Sequence, residues 1–216
     1  MKLSALALVA CNSSPPLEPS PNPRPTPPST NAPMSEPIVH INALSNRSSK
    51  QMAEQAEAWL ASHPVESHPL LLEALTSRGP STARILRVLG TMGHPDSVGE
   101  IAALLNEGDE LLASAAATAL AHHPSPNALQ ELIGSTHSDN PNTRHAALIG
   151  LRRRSDASAC AQITSLLNHS NPTTRYQSLR TVAELGGLNR EDAQRMTHDE
   201  DPDVKALAQE LMSPSE

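Results

Sequence analysis

Three residue types in this 216-residue chain could do chemistry: ten histidines, two cysteines and a set of arginines concentrated late in the sequence. His63, His94 and His123 each precede a proline and recur at intervals of 31 and 29 residues. Imidazoles can hold a transition metal, but a metal needs its ligands at about 2 Å, whereas side chains on successive stacked helices stand about 8–10 Å apart. These histidines are therefore expected to cap helix C-termini, where a ring faces unpaired carbonyls. His122 and His123 are adjacent, and neighbouring helical positions do not face each other, so no metal site is expected there. The acidic run Asp199 to Asp203 lacks the alternating oxygens and central glycine of a calcium loop; carboxylates at that place suit a helix N-terminus. Cys160, in register with Ile163 and Leu167, reads as a buried, inert thiol. Nucleophile motifs, phosphate-cradling glycine loops and metalloprotease helices are all missing. Neither catalytic residues nor a cofactor are expected.

The arginines are more telling. Residues 139–199 carry 8 Lys/Arg against 6 Asp/Glu, whereas residues 47–138 carry 5 against 10, in a chain of net charge −7. Arg144, Arg152, Arg153, Arg154, Arg175 and Arg180 supply most of that basic zone. Arg144 and Arg175 hold equivalent positions 31 residues apart, which predicts a ladder along one face. Guanidinium groups without carboxylate partners would suit an acidic protein or anionic lipid headgroups, so these six are the candidate partner-binding residues.

The elements that must position them are helices. Aromatics make up 1 % of the chain, with no Phe and single Trp59 and Tyr176, so a core must come from Leu, Ala, Val, Ile and Met, a composition that favours helix over sheet. The same scarcity, with the negative charge, disfavours nucleic acid as a partner. Ile85, Val88, Leu89 and Met92, and again Val204, Leu207, Ala208 and Leu211, follow the i, i+3, i+4, i+7 pattern of an amphipathic helix. Asn140-Pro141, Asn171-Pro172 and Asp201-Pro202 repeat every 31 and 30 residues, each an N-cap followed by proline at the first helical position. The pattern predicts helix pairs at about 47–78, 79–107, 108–138, 139–169 and 170–199, closed by a single helix near 202–213. Trp59 fits either a core position or an exposed anchor.

A period near 30, Asn/Asp-Pro starts, a cation at the fifth position and Ala/Leu-rich helices resemble the short HEAT-like repeats of the armadillo-type superhelix, also found in phycobilin lyases. Tetratricopeptide repeats differ in their 34-residue period and aromatic positions. The resemblance implies an all-α fold, a right-handed α-solenoid of about five HEAT-like helix pairs across residues 38–216. In related repeats the ladder arginine pairs with a turn aspartate of the neighbouring repeat; here most turns carry histidine instead. Folds of this class host unrelated functions.

Ahead of the repeats, ten prolines fall between Asn12 and Pro37 among Ser, Thr, Asn and Ala. Such a segment is expected to be an extended, disordered tether reaching roughly 80 Å at about 3.1 Å per residue. Residues 1–10 have the layout of a secretory signal, and Leu8-Val9-Ala10-Cys11 resembles the lipobox of bacterial lipoproteins. The resemblance implies cleavage before Cys11, acylation of that cysteine, and, from Asn12 after it, the outer membrane facing the periplasm. The combined expectation is a non-enzymatic scaffold held at the membrane by its N-terminal lipid, binding another protein along extended repeat surfaces, with a role in assembling an envelope complex by analogy with pilotins. Neither a nucleic acid nor a small-molecule substrate is expected as its partner. The alternatives are a cytoplasmic HEAT-like scaffold whose first residues are a misread start, and an enzyme of the bilin-lyase type.

Overall fold

The computed structural model describes residues 36–46 and 49–213; the expected signal, Cys11 and nearly all of the expected tether lie outside them. Within the described residues every regular element is helical: α1 (Glu36–Leu44), α2 (Lys50–Ser62), α3 (Pro64–Thr76), α4 (Thr82–Met92), α5 (Ser97–Asn106), α6 (Glu110–His122), α7 (Pro126–Ser135), α8 (Pro141–Arg154), α9 (Cys160–Ile163), α10 (Pro172–Glu184), α11 (Arg190–Met196) and α12 (Pro202–Met212). The chain starts these helices where its side chains can satisfy free N–H groups. Asn140 accepts from the N–H of Asn142 at 2.9 Å, Asn171 from Thr174 at 3.2 Å, and Asp201 from Asp203 and Val204 at 3.1 Å. Each cap is followed by Pro141, Pro172 or Pro202, whose missing N–H would have had no helical partner. The His-Pro punctuation also works as expected: α2 stops at Ser62 before Pro64, and α4 at Met92 before Pro95.

Stacking follows a simple rule. Helices α2, α4, α6, α8, α10 and α12 each pack on the next, forming a continuous front layer. The other helices cover its back, and leucines such as Leu60, Leu89, Leu105, Leu120, Leu132 and Leu148 are buried throughout the stack. Small residues let the front layer close tightly. A Cβ on Gly90 of α4 would stand 2.5 Å from the carbonyl oxygen of Ala119 in α6, and one on Gly150 of α8 would stand 3.0 Å from that of Ala117.

The phase of the pairs differs from the sequence expectation by one helix. Helix α5 packs chiefly on α6 rather than α4, and α11 on α12 rather than α10, so each hairpin runs from a back helix to a front helix. The predicted pairs begin on a front helix. Their missing first member is α1, which packs on α2 and α3 and starts at Glu36, two residues inside the stretch assigned to the tether. Its buried Pro37 lies in the first helical turn, where proline is tolerated, and so reads as tether in sequence.

The expected helix through Cys160 and Leu167 is also broken. Only Cys160–Ile163 is α-helical, between tighter turns at Ala157–Ala159 and Thr164–Asn168. Thr164 donates its hydroxyl to the carbonyl of Cys160 at 2.7 Å, the local competition that weakens helices rich in Ser and Thr.

Candidate functional site

Three of the six arginines singled out in the sequence are internal struts. Arg144 is buried; its Nε donates to Thr174 Oγ1 at 3.0 Å and its Nη1 to the carbonyl of Ser138 at 2.5 Å. Arg175 donates through Nε and Nη2 to both oxygens of Asp199, at 2.8 and 2.6 Å, and through Nη1 to the carbonyl of His169. Arg154 reaches back to the end of α6 and the following turn, donating to the carbonyls of Leu120, His123 and Ser125. The expected open ladder of Arg144 and Arg175 is therefore corrected: these residues sew each repeat to the next. Asp199 is the turn carboxylate that completes one rung. On the Arg144 rung the equivalent residue is His169, whose charged form is opposed by burial first and then by Arg144.

Histidine takes the acceptor's part in these turns. His94 Nδ1 accepts from the N–H of Asp96 at 3.3 Å, His123 Nδ1 from Ser125 at 3.1 Å, and His169 Nδ1 from Asn171 at 2.9 Å. Ser138 and Asp199 do the same with oxygen, for Asn140 at 3.2 Å and Asp201 at 2.9 Å. His123 is fully buried, and its Nε2 donates to the carbonyl of His94 at 3.1 Å. With Nδ1 accepting, the ring is neutral; burial pushes its pKa down, and Arg154 pushes the same way. C-capping, expected of all three His-Pro residues, holds at His63, whose Nδ1 lies 2.9 Å from the carbonyl of Trp59. His94 and His123 serve the next turn instead. Trp59 itself is half-buried between His40 and His63, with ring centroids 4.3 and 4.0 Å away.

The remaining three arginines do come together, on the open side of the front layer. Arg152 Nη1 donates to Gln177 Oε1 at 2.9 Å, linking α8 to α10, and Arg153 Nη1 donates to Thr118 Oγ1 at 2.6 Å, linking α8 to α6. Glu184 serves two cations: Arg180 Nε at 2.7 Å and Arg152 Nε at 3.7 Å. The Arg152 side chain is only 13 % exposed. Its burial lowers the guanidinium's pKa, Glu184 opposes that shift, and Arg180 adds to it. The result is a cluster in which Arg152 and Arg180 share one carboxylate and Arg153 neighbours Arg152.

Beside this patch runs a groove between α10 and α12 that the sequence did not point to. Its cavity of about 380 Å³ is lined by Tyr176, Leu207, Glu210 and the acidic helix start of Asp201 and Asp203. An adjoining hollow adds Arg180, Glu184 and Leu211. Chemically the surface offers cation donors, one aromatic ring and an apolar strip. Among the described residues no group of three or more His, Cys, Asp or Glu is arranged to hold a metal ion, and no helix is long and apolar enough to cross a membrane.

Hairpins stacked into two layers and joined by a repeated Arg-to-turn contact define a helical-repeat protein. Residues 134–213, from the end of α7 through α12, match the family of HEAT repeats. Comparison with curated proteins gives no match. Among solved structures the chain is similar to one from the complex of CpcE and CpcF of phycocyanin lyase from a Nostoc species, at 20 % identity, TM-score 0.44, covering 87 % of this chain and 79 % of that one. It is also similar to an engineered protein, at 18 % identity and TM-score 0.44, covering 83 % and 98 %.

Proposed function

We propose that this protein is a non-catalytic scaffold that binds another protein along the open side of its front layer, held at the membrane by a lipid on Cys11. The observation that carries the binding role is a cluster of cations, Arg152 and Arg180 sharing Glu184 with Arg153 neighbouring Arg152, on a layer that continues unbroken from α2 to α12. Stacked repeats suit such a role because each adds contact area without needing an enclosed pocket. The membrane role is supported by the order of features in the sequence: an apolar start, Leu8-Val9-Ala10-Cys11, then the proline-rich stretch. An acylated cysteine would place the scaffold in the cell envelope, at the outer membrane facing the periplasm, where it would assist assembly of an envelope complex. Intact mass and membrane fractionation of the wild-type protein and Cys11→Ser test the anchor. Cleavage plus acyl mass, lost in the variant, is the expected result; an unprocessed soluble chain would contradict it.

A further inference from the structure

We propose, resting on the scaffold reading above, that the front layer takes an acidic, extended protein segment whose carboxylates occupy the guanidinium groups of Arg152, Arg153 and Arg180. Elsewhere on the described surface several arginines have carboxylate partners. Arg84 and Arg87 share Glu57 in a groove that Glu54 also lines, Arg78 pairs with Glu107, and Arg195 with Asp192. Arg152 has both Arg153 and Arg180 as neighbours, and Glu184 contacts two of the three, Arg152 and Arg180. That carboxylate sits 2.7 Å from Arg180 and 3.7 Å from Arg152, so the more buried cation has the weaker partner. Arg153 is matched only by the neutral hydroxyl of Thr118. An incoming carboxylate can accept two parallel N–H bonds from one guanidinium, and beside the half-buried Arg152 it meets little competing water.

The surroundings select a segment one chain wide over a membrane surface. Asp201, Asp203 and Glu210 line the groove on one side of the patch, and Glu54 and Glu57 lie further along the same layer. A flat anionic bilayer would press headgroups against these acids as well. A narrow segment can follow the basic strip over α8 and α10 and avoid them. Tyr176, Leu207 and Leu211 offer room for an apolar side chain next to the strip. The acids of that groove also set direction: the segment's carboxylates lie over α8 and α10, and uncharged or basic residues lie over α12.

The test is fluorescence anisotropy with a labelled synthetic peptide of repeated Glu-Glu-Leu triplets, its Gln-Gln-Leu counterpart, and phosphatidylglycerol vesicles in a parallel sedimentation assay. The Glu peptide should bind in a salt-sensitive manner, and the Gln peptide and the R152Q/R153Q/R180Q protein should each weaken binding about tenfold or more. Glu184→Gln, which removes the competing carboxylate, should tighten it. Arg153→Gln alone, at an exposed residue with one hydroxyl partner, checks that weakening is not unfolding. Equal binding of both peptides, no binding of either, an unaffected triple variant, or arginine-dependent vesicle binding would each overturn the proposal. If crosslinking in cells recovers the same partner with the triple variant, the scaffold reading stands and this inference falls. If no partner is recovered from the front layer at all, the scaffold reading itself falls.

Discussion

Arg175 holds Asp199 through two parallel hydrogen bonds, Nε to Oδ2 at 2.8 Å and Nη2 to Oδ1 at 2.6 Å, tying α10 to the turn that starts α12. Both side chains are largely buried, at 15 % and 8 % exposed. Removing one partner strands the other charge, so Arg175→Ala should cost about 3 kcal/mol in urea unfolding. Arg175→Lys, which keeps the charge but loses the planar fork, should cost less. Hydrogen exchange should place the loss in α11 and α12. Arg175 holds the Asp199 carboxyl below its usual range; that contribution is complete above the unfolded value near 3.9 and is lost as pH falls through the lower folded value.

Four histidines predict acid sensitivity in a higher window. His68, His123, His145 and His169 all have lowered pKa values, with burial the first cause in each case. The folded state resists protonation that the unfolded chain accepts, so stability is complete above about 6.5 and declines as pH drops below it. The melting temperature should fall between pH 7.5 and 5.5. His123→Asn should flatten that dependence.

Close approach of the front helices sets the sign of two glycine substitutions. Alanine is the better helix former by about 1 kcal/mol, yet at Gly90 its Cβ would meet the carbonyl oxygen of Ala119 at 2.5 Å. Backbone cannot yield as a side chain can, so Gly90→Ala should destabilise by about 1–3 kcal/mol. Gly99, with nothing within 4 Å of the same position, should gain stability on the same change. Chemical denaturation of the two variants reads both signs.

Cys160 is free and buried, and burial raises its thiol pKa. Gly187 lies directly against it, since a Cβ there would stand 2.4 Å from Sγ. In a Cys11→Ser background, thiol labelling of the folded protein should be about a hundredfold slower than in denaturant, as expected of a site exposed only by local opening. Gly187→Ala should speed that labelling by loosening the contact.

Helix starts were legible in the sequence because an N-cap followed by proline is a local signal, as at Asn140-Pro141 and Asp201-Pro202. The phase of the hairpins was not, because pairing depends on which face of α5 meets α6, and because Pro37 hides α1 within a proline-rich stretch. Of the arginine cluster, Arg152, Arg153 and Arg180 do reach the surface together. Arg144 and Arg175 could not be told from surface residues, since their burial depends on Thr174 and Asp199 in the following repeat. The His-Pro residues misled for a related reason: Nδ1 can face a carbonyl behind it, as in His63, or an N–H two residues ahead, as in His123, and spacing alone does not choose.

The most direct measurement places a photo-crosslinking residue at Gln177 on the front layer or at Glu131, exposed on α7 at the back, in the full-length protein in cells. A front-layer scaffold predicts a protein adduct at position 177 and none at 131. Adducts at 131 alone, or none at 177, would contradict the account.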